Sequence, residues 1–350
     1  MRRNIEAIRR GGMAYRENFG WLDRRRFLAL GAAAGLVAIV PARADQAEPA
    51  IVYDYGGKWD KSFNEAAFEG AERFRKETGQ AFRDFEIASE SQRDQALQTM
   101  ARRGAPLVIG VGFANAVPLD KLAKTYPQQR FAIIDGVVNE PNVQSVIYRE
   151  QEGCYLVGML AALATRSGTL GFVGGMDVPI TRRYLGAFIQ GAQAVRPGLP
   201  ILQTMVGTTA EAWKDPARGA ELARSQLDRG ADVIFSAAGA SGLGVMQAVA
   251  DAGKLSIGVD ADQSPLHPGS VLTSMIKRVD LAVYQALMAM HDGSWQGGIL
   301  SLGLKEKAIG WVYNDRNNAL VTPEMKAQLD QAEADILAGK IVPVDVTAAH

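Results

Sequence analysis

Three aspartates stand where short apolar segments end, and carboxylates at such positions could bind a ligand or assist a reaction. They are Asp54 after residues 51–53, Asp135 after residues 131–134, and Asp260 after residues 256–259. Carboxylates accept strong hydrogen bonds from hydroxyl and ring N–H groups. Asp54 and Asp135 could also share the acid and base roles of glycosidic bond hydrolysis. Either of these two could instead be an ordinary turn residue.

An aromatic side chain and an amide follow the first aspartate, at the predicted start of a helix. Ser62 and Glu65 have the spacing of a capping box, so the helix is expected to begin there, with Phe63 and Asn64 in its first turn. The first turn of a helix leaves backbone N–H groups free for other partners. Phe63 could be a core residue and Asn64 a local cap. Together with Asp54, they indicate a binding edge that has no catalytic base beside it.

The three aspartates can lie close to Phe63 and Asn64 only in a fold that brings the ends of different strands together. Strand-like and helical segments alternate over residues 50–148, and a similar alternation occupies residues 170–260. Such alternation predicts α/β lobes with doubly wound parallel sheets, in which ligands bind at the carboxyl ends of the strands. We therefore expect two tandem lobes with a cleft that closes on a ligand.

The composition restricts the class of function. The 350 residues include 38 basic and 38 acidic residues, so nucleic acid is not expected as a partner. Cys154, expected to be buried, is the only cysteine, which excludes an intrachain disulfide and a cysteine-based zinc cluster. The histidines are scattered and no P-loop sequence occurs, so no metal and no cofactor are expected. The glycine-rich turn at 239–244 could cradle a phosphate or let an uncharged ligand approach closely.

The N-terminal residues have the pattern of an export signal. Three arginines at 24–26 precede an apolar run at 28–40, and small residues follow at 41–44. The arginine pair before Phe-Leu resembles a twin-arginine signal. We expect residues 1–44 to be a twin-arginine-type signal peptide that is cleaved, which would place the mature protein in the bacterial periplasm. An uncleaved anchor is the alternative, and no cysteine follows the run, so a lipid anchor is not expected.

Short motifs are distributed along most of the chain after residue 50. The first combines Asp54 with residues 56–57, 60–64 and 69–70; the others lie at 131–135, 152–162, 174–177, 230–234, 238–244 and 257–263. In this order they resemble the basic membrane protein (BMP) family, the PnrA-like substrate-binding proteins of ABC transporters. The resemblance extends from residue 50 to about residue 290.

The resemblance implies the type I periplasmic binding protein fold, in which the chain crosses between two lobes three times. On this basis, residues 45–147 and 264–295 are expected to form the N-terminal lobe, and residues 148–263 and 296–350 the C-terminal lobe. The chain would return to the first lobe near Ser264 and leave it again near Trp295.

The resemblance also implies a ligand, because characterised members of the family bind purine nucleosides, between two aromatic rings and several acids. The ligand-binding residues carried over to this chain are Asp54, Phe63, Asn64, Asp135, Trp213, Gly239, Asp260 and Lys277. Trp213 keeps the stacking face of the second aromatic residue. Lys277 could donate to a ring acceptor or balance Asp260. It could also be a solvated lysine beside Asp280.

We therefore expect a periplasmic substrate-binding protein, not an enzyme, that captures a purine nucleoside or nucleobase between its lobes. It would deliver this small molecule to the ABC transporter permease in the inner membrane, and we expect it to be a monomer. The same fold could instead bind a flavin, a sugar or another small polar heterocycle. A nucleoside hydrolase-like enzyme and a ligand sensor for a membrane receptor are further alternatives.

Overall fold

The computed structural model describes residues 47–347. The expected signal peptide at 1–44 therefore lies outside the described residues. From Ala50 onward, strands and helices alternate as the sequence pattern predicts.

The first α/β set runs from strand β1 to strand β5. Its elements are β1 (Ala50–Val52), α1 (Phe63–Thr78), β2 (Arg83–Phe85), α2 (Arg93–Arg102), β3 (Val108–Val111), α3 (Ala116–Thr125), β4 (Phe131–Ile134) and β5 (Val143–Tyr148). All residues of β1, β3 and β4 are buried. Central strands of a parallel sheet are covered on both faces, which explains their continuous apolar sequences.

The second set begins with a helix. Its elements are α4 (Glu150–Ala164), β6 (Leu170–Met176), α5 (Pro179–Val195), β7 (Ile201–Gly207), α6 (Pro216–Asp228), β8 (Val233–Ala237), α7 (Ser241–Asp251), β9 (Leu255–Asp260) and β10 (Val271–Lys277). The chain continues with α8 (Val279–Asp292), β11 (Gly298–Leu302), β12 (Ile309–Trp311) and α9 (Pro323–Leu337). Pro216 occupies the first turn of α6, where its missing N–H costs no hydrogen bond.

The strands form two six-stranded sheets of corresponding topology. Their orders are β11-β5-β4-β3-β1-β2 and β12-β10-β9-β8-β6-β7. Strands β1 to β5 therefore correspond to β6 to β10, and β11 corresponds to β12. Strand β11 runs parallel to β5, whereas β12 runs antiparallel to β10. The predicted fold class, two doubly wound α/β lobes, is confirmed.

The lobe boundaries expected at Ser264 and Trp295 are wrong. Strand β10 pairs with β9 in the second sheet, and β11 pairs with β5 in the first. The chain thus returns to the first lobe after Lys277, where α8 packs on α1, and leaves it after Leu302. The apolar sequence of β10 does not reveal its sheet, because either sheet offers a parallel apolar neighbour.

Three crossings connect the lobes, at Arg149, at Arg278 and between β11 and β12. The Arg149 N–H donates to the Leu302 carbonyl at 2.8 Å. The Arg278 N–H donates to the Ala308 carbonyl at 2.8 Å. Both arginines have backbone angles close to an inverse γ-turn, with φ of −91° and −78° and ψ of 63° and 65°. The crossings are therefore joined by backbone hydrogen bonds into a single hinge.

Helices α4 and α5 pack closely because glycines lie at their contact. A Cβ atom added at Gly158 would lie 2.2 Å from the Phe188 carbonyl oxygen, and one at Gly191 would lie 1.9 Å from the Tyr155 carbonyl oxygen. Cys154, also on α4, is fully buried, and burial raises the pKa of its thiol well above the usual value. It is therefore an inert core residue.

Candidate functional site

A cavity between the lobes collects residues that end or follow strands of both sheets. It has a volume of about 650 Å³, which includes space open to solvent. All eight residues predicted from the sequence line it: Asp54, Phe63, Asn64, Asp135, Trp213, Gly239, Asp260 and Lys277. The structure thus brings them together at the carboxyl ends of the strands. Their part in ligand binding stays a prediction.

The residue that caps α1 is Asp60 rather than Ser62. The Asp60 carboxylate accepts hydrogen bonds from the backbone N–H groups of Ser62 (2.9 Å), Asn64 (3.0 Å) and Glu65 (3.1 Å). The predicted capping box is wrong because the Ser62 hydroxyl instead donates to Asp260 of the other lobe. Burial raises the pKa of Asp60 to about 7, although the backbone donors oppose this shift.

Asp54 is held in place by surrounding protein groups. Its carboxylate accepts from Arg93 Nη2 at 2.8 Å, and its backbone N–H donates to Asn64 Oδ1 at 2.9 Å. Gly112, at φ 98°, leaves room for the carboxylate, since an added Cβ would lie 2.2 Å from Asp54 Oδ2. Asn64 Nδ2 in turn donates to Asp60 at 3.0 Å. Asn64 therefore orders the loop before α1, which agrees with its interpretation as a local cap.

Lys277 is buried and ion-paired, with only 1% of its side chain exposed. It donates to Asp135 of the first lobe, to Glu150 at 3.0 Å and to the Tyr184 hydroxyl at 3.4 Å. Its interpretation as a solvated lysine is wrong. Its ion-pair partners are Asp135 and Glu150, the first residue of α4. Asp260 interacts with it through charge alone, which raises the pKa of Lys277.

A single ammonium group serves several carboxylates in this part of the cavity. Burial lowers the pKa of Lys277, but the charges of Asp135, Glu150 and Asp260 outweigh burial and raise it above the usual value. Burial raises the pKa of Asp135 to about 7; Lys277 opposes this shift and Glu150 adds to it. The lysine therefore has an excess of negative partners, and Asp135 shares its cation with Glu150.

Asp260 has a neutral partner at close range. Its carboxylate accepts a hydrogen bond from the Ser62 hydroxyl across the cleft. Burial raises the pKa of Asp260, and the charge of Lys277 and the Ser62 hydrogen bond oppose the shift. Asp260 and Asp135 both adopt a left-handed backbone conformation, at φ 67°. Such conformations in non-glycine residues are strained and cluster at functional sites.

Aromatic side chains border the cavity from both lobes. Phe63 comes from the first turn of α1, Tyr184 from α5, and Trp213 from a short 3₁₀ segment before α6. Gly175 makes room for the indole, because an added Cβ would lie 2.2 Å from Trp213 Cζ3. A Cβ added at Gly239 would lie 3.4 Å from the Trp213 carbonyl oxygen.

The two lobes contact each other beside the cavity. The Tyr55 hydroxyl donates to Glu211, and Lys214 Nζ lies 5.3 Å from the centroid of the Tyr55 ring. Gln263 Nε2 donates to the Lys61 carbonyl at 2.8 Å. These contacts, together with those of Ser62 and Lys277, hold the cleft closed.

Several cavity residues are missing from the sequence prediction. Ile180, Thr181 and Tyr184 lie in the first turns of α5, and Phe113 follows β3. Helix α5 follows β6 closely, so the strand-end rule that selected α1 could also have selected α5. The same rule could have selected Glu150, which begins α4 just after β5, whereas Arg93 leaves no such signal because it reaches Asp54 from helix α2.

The described residues offer neither a cluster for a metal ion nor a helix for a bilayer. Within residues 47–347, no group of three or more histidine, cysteine or acidic side chains is arranged to hold a metal ion. Among the helices of the same residues, none is both long and apolar enough to cross a bilayer.

Comparison with known proteins gives concordant matches. A family model described as "ABC transporter substrate-binding protein PnrA-like" (Bmp) matches residues 47–345. An uncharacterized lipoprotein of Pyrococcus abyssi is 36% identical over 285 residues, which cover 77% of this chain and 69% of the relative. The ABC transporter nucleoside-binding protein BmpA of Lactococcus lactis is 31% identical over 315 residues, which cover 83% of this chain and 87% of the relative.

Solved structures agree with the sequence matches. An ABC transporter solute-binding protein from Aeropyrum pernix K1 has a TM-score of 0.79 at 28% identity, covering 85% of this chain and 94% of that one. A solute-binding protein from Conexibacter woesei has a TM-score of 0.69 at 23% identity, covering 85% and 99%, and supports the fold alone.

Proposed function

Because the chain belongs to the PnrA-like family of ABC transporter substrate-binding proteins, we propose that it captures a purine nucleoside or nucleobase in the cavity between its lobes. Membership of this family implies a small-molecule ligand and a transporter permease as partners. The name of the Lactococcus lactis relative, a nucleoside-binding protein, supports the ligand class proposed here.

The observation that carries the proposal is the pairing of aromatic rings from opposite lobes with acids around them. Phe63 is part of the first lobe, whereas Trp213 and Tyr184 are part of the second. A purine has two π faces, and stacking against aromatic rings is worth about 0.5–1.5 kcal/mol beyond the area buried. With the cleft closed, rings of both lobes border the cavity, so a base bound there can be stacked on both faces.

The carboxylates would accept hydrogen bonds from the edges of the base and from the ribose hydroxyls. Asp135 Oδ1 is buried and has no hydrogen-bond partner within the described part of the chain. A buried acceptor without a partner is costly, so a ligand donor that reaches it is favoured. Asp260 lies on the opposite lobe and offers a second acceptor. Ring N–H and ribose O–H groups supply such donors.

We propose binding without turnover. Hydrolysis of a glycosidic bond needs one carboxyl group that gives a proton and another that activates water or attacks. Asp54 is paired with Arg93 at 2.8 Å, and Asp135 is paired with Lys277. Each acid is thus held in a fixed position by a cation, which suits a hydrogen-bond acceptor for a bound ligand.

Binding is tested by isothermal titration and thermal unfolding of the purified mature protein with adenosine, guanosine, inosine and their bases. A ligand at a hundredfold excess over its dissociation constant should stabilise the protein by about 2.7 kcal/mol. Phe63→Ala and Trp213→Ala should each weaken binding by about 30-fold, the loss typical of buried aromatic contacts.

Two surface variants provide matched controls for the aromatic substitutions. Trp59 is 60% exposed and Phe85 is 37% exposed, and neither lines the cavity. Trp59→Ala and Phe85→Ala should leave the dissociation constants unchanged. If a flavin or a sugar stabilises the protein and purines do not, the proposed ligand is wrong and the assignment of the fold still holds. Release of free base from a nucleoside during the titration would show that the protein is an enzyme, which contradicts binding without turnover.

We also propose that residues 1–44 export the protein to the periplasm by a twin-arginine route. The support is the arginine cluster at 24–26 followed by the apolar run at 28–40. Replacing Arg25 and Arg26 by lysine should retain the precursor in the cytoplasm, as cell fractionation would show. Unimpaired export of that variant would contradict the twin-arginine route.

A further inference from the structure

Residues 341–347, here called the C-terminal strap, lie along the outer side of helix α5. Gln190 of α5 makes two hydrogen bonds to the backbone of Val344, each 3.0 Å long, one as donor and one as acceptor. Val346 occupies a notch at Gly186, where an added Cβ would lie 2.7 Å from Val346 Cγ1. The strap is therefore fastened to α5 by both polar and apolar contacts.

The same helix forms part of the cavity wall, and Arg183 connects the two sides. Ile180, Thr181 and Tyr184 of α5 line the cavity. Arg183 Nε donates to Asp345 of the strap at 2.9 Å, and its Nη1 donates to Glu150 Oε2 at 2.9 Å. One guanidinium group thus contacts both the strap and a buried acid beside the cavity.

Glu150 connects Arg183 with the candidate ligand site. Its Oε1 accepts from Lys277 Nζ at 3.0 Å, and Lys277 also pairs with Asp135. The side chains of Glu150 and Lys277 are each 1% exposed. Five alternating charges therefore run from the strap to the first lobe, and we call them the charge relay: Asp345, Arg183, Glu150, Lys277 and Asp135.

We propose that Arg183 is a positioning residue for the ligand site and that the strap holds it through Asp345. Each oxygen of Glu150 is bound by one cation, so Arg183 sets the orientation of this carboxylate. Glu150 in turn places the Lys277 ammonium, and Lys277 places Asp135. The planar guanidinium suits this role because it donates to several acceptors in a fixed geometry. The affinity readout rests on the proposed nucleoside-binding function.

The test compares Arg183→Met, Asp345→Asn and the double variant. Titration with adenosine, guanosine and inosine should show dissociation constants raised about tenfold for Arg183→Met and about threefold for Asp345→Asn, within the range of coupled neighbouring residues. The double variant should match Arg183→Met, because Asp345 acts only through Arg183. Independent structural effects would instead multiply to about thirtyfold.

The neighbouring arginine provides a matched control. Arg182 is on the same helix, its side chain is 60% exposed, and it pairs with Asp177 on the surface. Arg182→Met should leave the affinity for all three nucleosides unchanged. If Arg182→Met weakens binding as much as Arg183→Met, the effect belongs to α5 as a whole and the positioning role is overturned.

A second readout needs no ligand. In protein with 15N-labelled lysine, the side-chain ammonium signal of Lys277 is identified by its loss in Lys277→Arg. This signal should move in Arg183→Met and in Asp345→Asn and stay in place in Arg182→Met. If it moves while wild-type protein binds no purine probe, the relay stands and the proposed ligand fails. If it stays in place in Asp345→Asn, whose substitution lies on a surface segment and leaves the core intact, the proposal is overturned.

Discussion

Asp135 and Asp260 occupy corresponding places in the two lobes but have different partners. Each ends or follows the corresponding strand, β4 or β9, and each has a φ of 67°. Each is also approached from the opposite lobe. The partner of Asp135 is the Lys277 ammonium, whereas the partner of Asp260 is the Ser62 hydroxyl.

The difference indicates how the closed cleft is stabilised. Hydrogen bonds with an ionised donor or acceptor are roughly twice as strong as neutral ones, so both contacts are of the strong type. The contact at Asp135 joins two opposite charges, while the contact at Asp260 leaves a buried carboxylate with a neutral donor. The lobes are thus joined by an ion pair on one side of the cavity and by a hydroxyl–carboxylate hydrogen bond on the other.

The largest effect should follow from removing the charged partner. Lys277→Met leaves Asp135 and Glu150 buried without their shared cation, which should lower the free energy of unfolding by about 3–5 kcal/mol at pH 8. Because Lys277 lowers the pKa of Asp135, its removal raises that pKa further. The acid then takes up a proton more readily, so the loss should shrink as the pH falls from 8 to 6.

Urea unfolding at several pH values measures this loss. The control is Lys326→Met, because Lys326 pairs with Asp330 on the surface of α9. Surface pairs contribute about 0–1 kcal/mol, so the control should stay close to wild type. Equal losses in the two variants would mean that the buried position of Lys277 confers no special role.

Removing the neutral partner should cost less. Ser62→Ala leaves the Asp260 carboxylate without its hydroxyl donor and should lower the free energy of unfolding by about 1–3 kcal/mol. Ser256 provides the matched control, since it is equally buried and its hydroxyl has no partner in the described residues. Ser256→Ala should be close to neutral in the same urea titration. A larger loss for Ser62→Ala than for Lys277→Met would reverse the comparison of the two contacts.

Neutralising Asp260 should stabilise the protein at high pH. The folded-state pKa of this acid is raised by burial, so the wild-type protein loses stability as the pH rises above about 4 and the acid ionises. Asp260→Asn removes this loss and can still accept from Ser62. We expect a gain in the free energy of unfolding at pH 8 that declines toward pH 5.

The corresponding variant of the first lobe should show the same direction of pH dependence. Burial raises the folded-state pKa of Asp135 to about 7, so at pH 5 the wild-type acid is mostly protonated and Asp135→Asn should be close to neutral. As the pH rises to 8, the wild-type protein loses stability while this acid ionises, and the variant does not. Thermal unfolding in parallel pH series measures this change for both variants. A loss of stability for Asp135→Asn that grows toward pH 8 would show that the ion pair with Lys277 outweighs the burial of Asp135.

The smallest effect is expected at the exposed side of the cleft. The hydrogen bond to Glu211 raises the pKa of Tyr55, but the tyrosine lies where water can replace this contact. Tyr55→Phe should therefore leave the unfolding midpoint within experimental error of wild type. A loss of stability as large as that of Ser62→Ala would show that contacts outside the buried cavity contribute much of the stability of the closed cleft.

The place of the site could be predicted because strand ends follow from local sequence. Apolar strands next to Asp54, Asp135 and Asp260 suffice for the expectation that these acids meet at one edge. The partners of these acids could not be predicted in the same way. Arg93 reaches Asp54 and Lys277 reaches Asp135 from other elements, and ion pairs between distant elements have no sequence period.

Two predictions made from local sequence are wrong. Ser62 has the residue type and spacing of a helix cap, but a contact with Asp260, far away in sequence, takes its hydroxyl, and Asp60 caps the helix instead. The sequence of β10 is that of an ordinary buried strand, and its pairing with β9 determines which sheet it joins. In both cases tertiary contacts decide between local alternatives of similar quality.

The three crossings of the hinge have a consequence for how the chain folds. The first sheet gains its edge strand β11 only at residues 298–302, long after β5 ends at residue 148. During synthesis, the first lobe therefore stays incomplete until most of the second lobe has left the ribosome. Contacts between such distant segments slow folding, since a long loop must close before they form. Neither lobe can be obtained as an isolated domain by cutting the gene at a single point.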